Sequence, residues 1–194
     1  MDFFIGSVHH VHEIPIDFDA AFYGKAREVA GGTDERLFED YFDAQFEMLK
    51  ALKPRVVGHF DLIRLLSDEP DRDLRKMKGV WERVVRNLKY VVGQNGLVEI
   101  NSSALRKGLK EPYPGRSVCE EFTKMGGRFT LSDDSHGIDQ VGTNFMRVFE
   151  YLESLGEKEL FLLEGDGANL DAKNKRVLNI QSVALSSAKE SFRP

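Results

Sequence analysis

Phe129-Thr130-Leu131-Ser132-Asp133-Asp134-Ser135-His136-Gly137 decides how the chain is read. Phe129, Thr130 and Leu131 suit a short buried strand. Asp133, Asp134 and His136 follow at once, and Gly137 lets the chain turn away. An Asp-x-His step at a strand end can bring a carboxylate and an imidazole to one point, the mixed oxygen and nitrogen ligation that a divalent cation takes. Asp134 is in that phase with His136, and Asp133 reads as a turn or supporting residue.

Outward from this stretch the same device recurs. Phe3 to Val8 reads as a buried strand with His9, His10 and then His12 behind it, and Pro15 keeps the segment to Asp19 extended or looped. Leu37, Phe38, Tyr41, Phe42, Met48, Leu49 and Leu52 fall at helical spacings, which predicts a helix over Asp34 to Leu52 stopped near Pro54. Val56-Val57-Gly58 is a strand with His59 at its end. A second helix spans about Arg75 to Val92, with Trp81 on its apolar side and Asn95-Gly96 as its cap. Leu97 to Ile100 is the next strand, with Glu99 inside it demanding a partner and Asn101-Ser102-Ser103 following. Ser117 with Glu120 reads as a capping box for a helix to Met125. A further helix spans roughly Asn144 to Leu155, Glu159 to Leu163 is a fifth strand, and Val177 to Val183 is β-like within a polar segment, 165–194, that frays at its end.

Strand and helix alternating in this way predict an α/β fold with a mainly parallel sheet, whose site lies at the carboxyl ends of the strands. His9, His59, Asn101 and the Asp134–His136 pair all occupy such ends. Arg106 and Lys107 follow a polar strand end, where a basic side chain can face a phosphate. Asp17 and Asp19 flank Phe18 and could attract an ammonium group, although Asp19 equally suits a helix cap. Ser102 and Ser103 offer hydroxyls without a nucleophile motif. Cys119 reads as structural.

The totals set outer limits. A chain of 194 residues with 41% hydrophobic and 30% charged residues fits one globular domain, 1–194. A net charge of −5 argues against general nucleic-acid or membrane-surface binding, and one cysteine excludes an internal disulfide. The expected location is cytoplasmic. No Walker loop, GxSxG elbow or GxGxxG fingerprint appears, which weakens nucleotide-dependent and serine-hydrolase readings.

Gly6-Ser7-Val8-His9-His10, Ile14-Pro15-Ile16-Asp17-Phe18-Asp19, Val57-Gly58-His59-Phe60-Asp61, Glu99 to Gly108 and Leu131 to Gly137 come in this order. Together they closely resemble the histidinol-phosphate phosphatases of the PHP (polymerase and histidinol phosphatase) superfamily, particularly the fungal form. The string Glu-Ile-Asn-Ser-Ser-Ala-Leu-Arg-Lys-Gly carries most of the specificity. The resemblance implies a distorted (β/α)7 barrel and a cluster of two or three divalent metal ions, zinc, manganese or iron. It implies His9, His59, Asp134 and His136 as metal ligands and Arg106 as the phosphate-gripping residue. His10, Asp17, Asp19 and Ser103 would lie along the substrate, with Asp134, His136 and Arg106 carrying the chemistry. The implied reaction is hydrolysis of L-histidinol phosphate in histidine biosynthesis, with a small phosphomonoester as the partner and neither nucleic acid nor membrane. The family opens with a His-x-His motif that does not precede Met1, so the expectation is an amino-terminally truncated barrel of about five βα units. Such a barrel would expose a sheet edge prone to aggregation and take its remaining ligands from outside this stretch. A catalytically incomplete remnant that binds a metal or a partner, and a PHP phosphoesterase for another phosphomonoester, stand as alternatives.

Overall fold

The computed structural model describes residues 3–170 and 176–192. Its centre is a four-stranded parallel sheet of β1 (Ile5–Gly6), β4 (Val56–Val57), β5 (Leu97–Asn101) and β6 (Phe129–Ser132), in that spatial order. Neighbours in space are also successive in the chain, because each return runs through helices. Between β1 and β4 the chain makes a two-residue-strand hairpin, β2 (His10–Val11) and β3 (Ile14–Pro15), then α1 (Ala20–Val29) and α2 (Asp34–Leu52). α3 (Lys78–Gly93) links β4 to β5, and α4 (Ser103–Arg106) and α5 (Arg116–Lys124) link β5 to β6. Sequential parallel strands with helical returns form the wall of a βα barrel rather than a doubly wound sheet.

Register explains where the polar strand ends go. Gly6 pairs with Val57, Val57 with Val98, and Val98 with Phe129. Parallel strands in this alignment all finish on one edge, so the residues at or just beyond their ends, at 7–9, 58–59, 101–102 and 132–134, share that edge. β5 is buried along its whole length, as a central parallel strand covered on both faces must be.

Phe3 to Val8 departs from the expected buried strand. Only Ile5 and Gly6 pair, and Phe3, Phe4 and Ile5 are 43%, 38% and 49% exposed. Among the described residues β1 pairs on one side alone, with β4, and in the stretch from Phe3 to Val8 only Gly6 and Val8 are buried. The exposed edge anticipated from the resemblance is therefore present in β1.

Helix α2 has the expected bounds. Thr33 caps it by accepting from Arg36 N, and Lys53 at φ +48 ends it before Pro54. α3 begins later than expected because Leu74–Lys76 forms a separate 3-10 turn, and it closes on Asn95 at φ +61 with Gly96 N bonded to Val91 O. The Ser117–Glu120 capping box does not form. Ser117 lies inside α5, and Glu120 pairs with Arg75. The start of that helix is instead held by two distant carboxylates, Asp61 accepting from Gly115 N at 2.8 Å and Glu111 from Arg116 N at 2.8 Å.

Beyond β6 lie α6 (Phe145–Ser154), β7 (Glu159–Leu170), β8 (Arg176–Ala184) and α7 (Leu185–Ser191). The fifth strand thus runs further than expected, and it pairs antiparallel with β8 instead of extending the parallel ladder. Near the end of the described chain Leu185 is buried and Phe192 meets Phe145 edge-on at 4.8 Å between ring centres; the last residues of the segment expected to fray, 193–194, lie outside the described residues. Among the described residues, no helix is long and apolar enough to cross a membrane.

Candidate active site

An open cavity of about 680 Å³ occupies the carboxyl edge of the sheet. Every parallel strand contributes to it: Ser7 and His9 after β1, His59 after β4, Glu99 from within β5, and Ser132, Asp134 and His136 from β6 and its loop. Asp17 and Lys107 complete the polar lining.

His59 is the most firmly seated of these. Its backbone is left-handed, φ +48, so that it turns off β4 immediately after Gly58. Its N–H donates to Glu99 Oε2 at 2.9 Å and its carbonyl accepts from Tyr41 OH at 2.8 Å. Gly58 permits this approach, since a Cβ there would sit 3.2 Å from Glu99 Oε2 and 2.6 Å from the Ile5 side chain. The partner that Glu99 demanded is therefore His59. Burial pushes the His59 imidazole pKa down, which favours the neutral, ligating form near pH 7. His59 Nε2 faces Asp134 Oδ1 at 3.8 Å.

His9 is oriented by Asp17. Its Nδ1 lies 2.9 Å from Asp17 Oδ2, and Nε2 lies 3.0 Å from Ser7 Oγ. A carboxylate accepts, so Nδ1 carries the proton and Nε2 keeps a lone pair. The Asp17 bond raises the His9 pKa, and although burial opposes it, the same bond lowers that of Asp17. His9 and His59 meet edge to face with ring centres 5.4 Å apart.

The loop after β6 is braced from within. Asp133 accepts from Ser135 N and Gly142 N, the supporting role expected of it. Asp134 sits at φ +51, and its carbonyl receives His136 Nδ1 at 2.9 Å. A carbonyl only accepts, so His136 Nδ1 is the protonated nitrogen and Nε2 is open to a ligand.

Five expected site residues thus line one cavity: His9, Asp17, His59, Asp134 and His136. The others lie elsewhere. Asp17 serves His9 rather than standing free for an ammonium group. Asp19 caps α1 through Phe22 N at 2.8 Å, the alternative weighed for it. Ser103 is fully buried at the start of α4, outside the cavity. His10 is exposed on the β2–β3 hairpin, where the strand alternation turns it away from buried Val11. Arg106 points its guanidinium at the carbonyls of Asp133 and Asp134. Ser7 and Ser132 line the cavity without having left a signal in the sequence.

The donors suit a divalent cation in kind. Three imidazoles and the carboxylates of Asp134 and Glu99 supply the nitrogen and oxygen mixture that zinc, manganese or iron accepts. The 3.8 Å between His59 Nε2 and Asp134 Oδ1 is slightly wider than the roughly 3.4 Å separating tetrahedral donors at ~2.1 Å from one ion. Among the described residues no three His, Cys, Asp or Glu side chains already converge on one point, so closing a shell requires side-chain rotation or further donors.

The PHP domain family matches residues 1–103. A Schizosaccharomyces pombe protein named a probable histidinol-phosphatase is 44% identical over 185 residues, 94% of this chain and 60% of that protein. The Saccharomyces cerevisiae histidinol-phosphatase is 39% identical over 173 residues, 78% of this chain and 52% of that protein. The chain therefore spans between half and two thirds of these relatives. A histidinol phosphate phosphatase of Lactococcus lactis, solved with zinc, L-histidinol and phosphate, superposes with a TM-score of 0.60 at 18% identity, over 82% of this chain and 59% of that one.

Proposed function

The chain belongs to the PHP domain family, and we propose on that premise that it carries part of the active site of a metal-dependent phosphomonoesterase hydrolysing L-histidinol phosphate. The observation that carries this reading is the convergence of His9, His59, Asp134 and His136 from three strand ends on one open cavity. The likeness to two fungal proteins with histidinol-phosphatase names supports the substrate. A place in histidine biosynthesis goes with that substrate.

In this reading His9, His59, Asp134 and His136 hold the cation, with Glu99 beneath His59 and Asp17 behind His9. When bound, a divalent cation supplies Lewis acidity, neutralising charge on phosphoryl oxygens and making water a better nucleophile near neutral pH. The protein's own residues do the rest. The Asp17 carboxylate holds the His9 ring in the tautomer that keeps a lone pair on Nε2, which Ser7 Oγ meets at 3.0 Å, and the Asp134 carbonyl does the same for His136 Nε2. Arg106 holds the loop that carries Asp134 and His136 through two carbonyls, and Lys107 puts a positive charge in the cavity. A net charge of −5 and an open cavity of about 680 Å³, the size of a small-ligand site, support a small-molecule partner rather than nucleic acid or membrane, and a cytoplasmic location fits the single buried cysteine.

A second reading, a chain that binds a metal ion or another chain without turnover, rests on the absence of a preformed three-donor cluster among the described residues. Phosphate release from L-histidinol phosphate, with zinc or manganese added and the fission-yeast relative as a positive control, separates the two. Metal-dependent release supports the phosphatase. Metal binding with no release supports the second reading, and release from other phosphomonoesters alone overturns the proposed substrate.

A further inference from the structure

Asn101, the last residue of β5, is fully buried and held on every polar atom. Its N–H donates to Tyr113 O at 2.7 Å and its carbonyl accepts from Tyr113 N at 3.1 Å. Its side-chain Oδ1 accepts from Ser103 N at 2.8 Å. That bond fixes which way the amide faces, because only its oxygen can accept from a backbone N–H. Nδ2 therefore points the other way, 3.3 Å from Ser132 Oγ and 3.4 Å from His59 Nδ1.

An amide nitrogen only donates, so His59 Nδ1 accepts at this contact and the proton of the neutral ring sits on Nε2. Nε2 is the nitrogen that faces Asp134 Oδ1 at 3.8 Å. A proton there occupies the lone pair that a cation shared between His59 and Asp134 needs. His9 and His136 are held the opposite way, each with its proton on Nδ1. The other tautomer of His59 also has an acceptor within reach. Glu99 Oε2, which already accepts from His59 N–H, lies 3.8 Å from Nδ1, just beyond hydrogen-bond range.

We propose that Asn101 is a positioning residue that opposes cation binding at His59: it favours the Nε2–H tautomer, and ligation requires the ring proton to move to Nδ1, toward Glu99. One proton leaves Nε2 for solvent and one returns from solvent to Nδ1, so the ring stays neutral throughout. This rests on reading the cavity as a metal site. Apparent affinity scales with the fraction of His59 in the competent tautomer, so Asn101 weakens cation binding without touching the cation.

Long-range proton–nitrogen NMR spectra of the chelator-treated chain at about pH 8, where imidazoles are neutral, report which ring nitrogen carries the proton. The spectrum of His59→Gln identifies the His59 signals. Asn101→Asp keeps an acceptor for Ser103 N and places an oxygen opposite His59 Nδ1. Asn101→Leu removes the donor without adding charge. We expect His59 protonated on Nε2 in the parent, on Nδ1 in Asn101→Asp, and on both in Asn101→Leu. Zinc affinity, read by competition with a chromogenic chelator, should be about three- to tenfold tighter in Asn101→Leu, the effect of one opposing hydrogen bond, and tighter still in Asn101→Asp. A parent His59 protonated on Nδ1 overturns the proposal, and so does weaker zinc binding in both variants. Zinc binding by none of the three chains, with the expected tautomers in place, is a different result: it overturns the reading of the cavity as a metal site and the proposal with it.

Discussion

Asp17 Oδ2 stands 2.9 Å from His9 Nδ1, joining the loop before α1 to the end of β1 across eight residues of chain. The bond sets which His9 nitrogen keeps its lone pair, so in the proposed metal site Asp17 would orient the His9 ring. Asp17→Asn should therefore lower zinc affinity by about tenfold or more while leaving the urea midpoint little changed. Competition against a chromogenic chelator measures it. Unchanged zinc affinity would show that His9 does not depend on Asp17.

Behind the cavity, Asp61 and Arg64 form a pair with side chains 1% and 4% exposed. Asp61 Oδ2 accepts from Arg64 Nε at 2.9 Å. Arg64 also donates to the carbonyls of Pro70, Glu111 and Pro112 and lies over the Tyr113 ring. The pair ties the turn after His59 to the loop before α5. Burial pushes the Asp61 carboxyl pKa up, against the pull of Arg64 and the Gly115 N–H. Removing one member of such a pair leaves the other charge uncompensated, so Asp61→Ala should cost about 3–5 kcal/mol in urea denaturation. A loss below ~1 kcal/mol would mean that the carbonyls alone satisfy Arg64.

Much of this arrangement is legible in local pattern, and the exceptions share a cause. The bounds of α2 follow from a 3.6-residue apolar stripe ending at Pro54, and the strand-end positions of His59, Asp134 and His136 follow from short apolar runs that stop at polar residues. α1 passed unread because its apolar signal is slight: only Tyr23 and Ala26 are buried, and Gly24 interrupts it. Glu111 and Asp61 replaced the local capping box at α5: Glu111 reaches back over five residues across the Pro112–Pro114 loop, and Asp61 is 54 residues away, beyond any local window on the sequence. The destination of Arg106 depends on the left-handed turn at Asp134 and was hidden for the same reason. Local chemistry marks which residues can ligate, and long-range geometry decides which of them meet in one cavity.

Gly6 brings β1 close to the end of α2. A Cβ there would lie 2.7 Å from Pro54 Cγ and 2.8 Å from Met48 Sδ, at the end of α2. Met48 is flexible, but the Pro54 ring is not. Gly6→Ala should therefore force β1 outward from α2 at a cost of about 1–3 kcal/mol, read from the urea midpoint. No change would mean that this exposed edge strand shifts freely.

Asp43 on α2 tests the electrostatics between α2 and α3. Its Oδ2 accepts from Arg83 Nε at 2.9 Å and its Oδ1 from Arg86 Nη1 at 2.7 Å. Partial burial pushes the carboxyl pKa up, but the two guanidinium bonds outweigh it and hold the pKa below the ordinary carboxylate value. A carboxyl depressed in the folded state contributes stability that is fully present above its unfolded pKa, about 3.9, and is lost as pH falls through the folded one. With the side chain 44% exposed, solvent and salt screen the contribution, so its sign and pH window carry the test rather than its size. The urea midpoint of the parent chain should exceed that of Asp43→Asn by a constant margin from pH 7 to about 5. The margin should shrink once the pH drops below about 4, and it should be smaller at high salt throughout. A margin that persists undiminished at pH 2–3 would assign the contribution to neutral hydrogen bonding, which asparagine would then be failing to reproduce for geometric reasons.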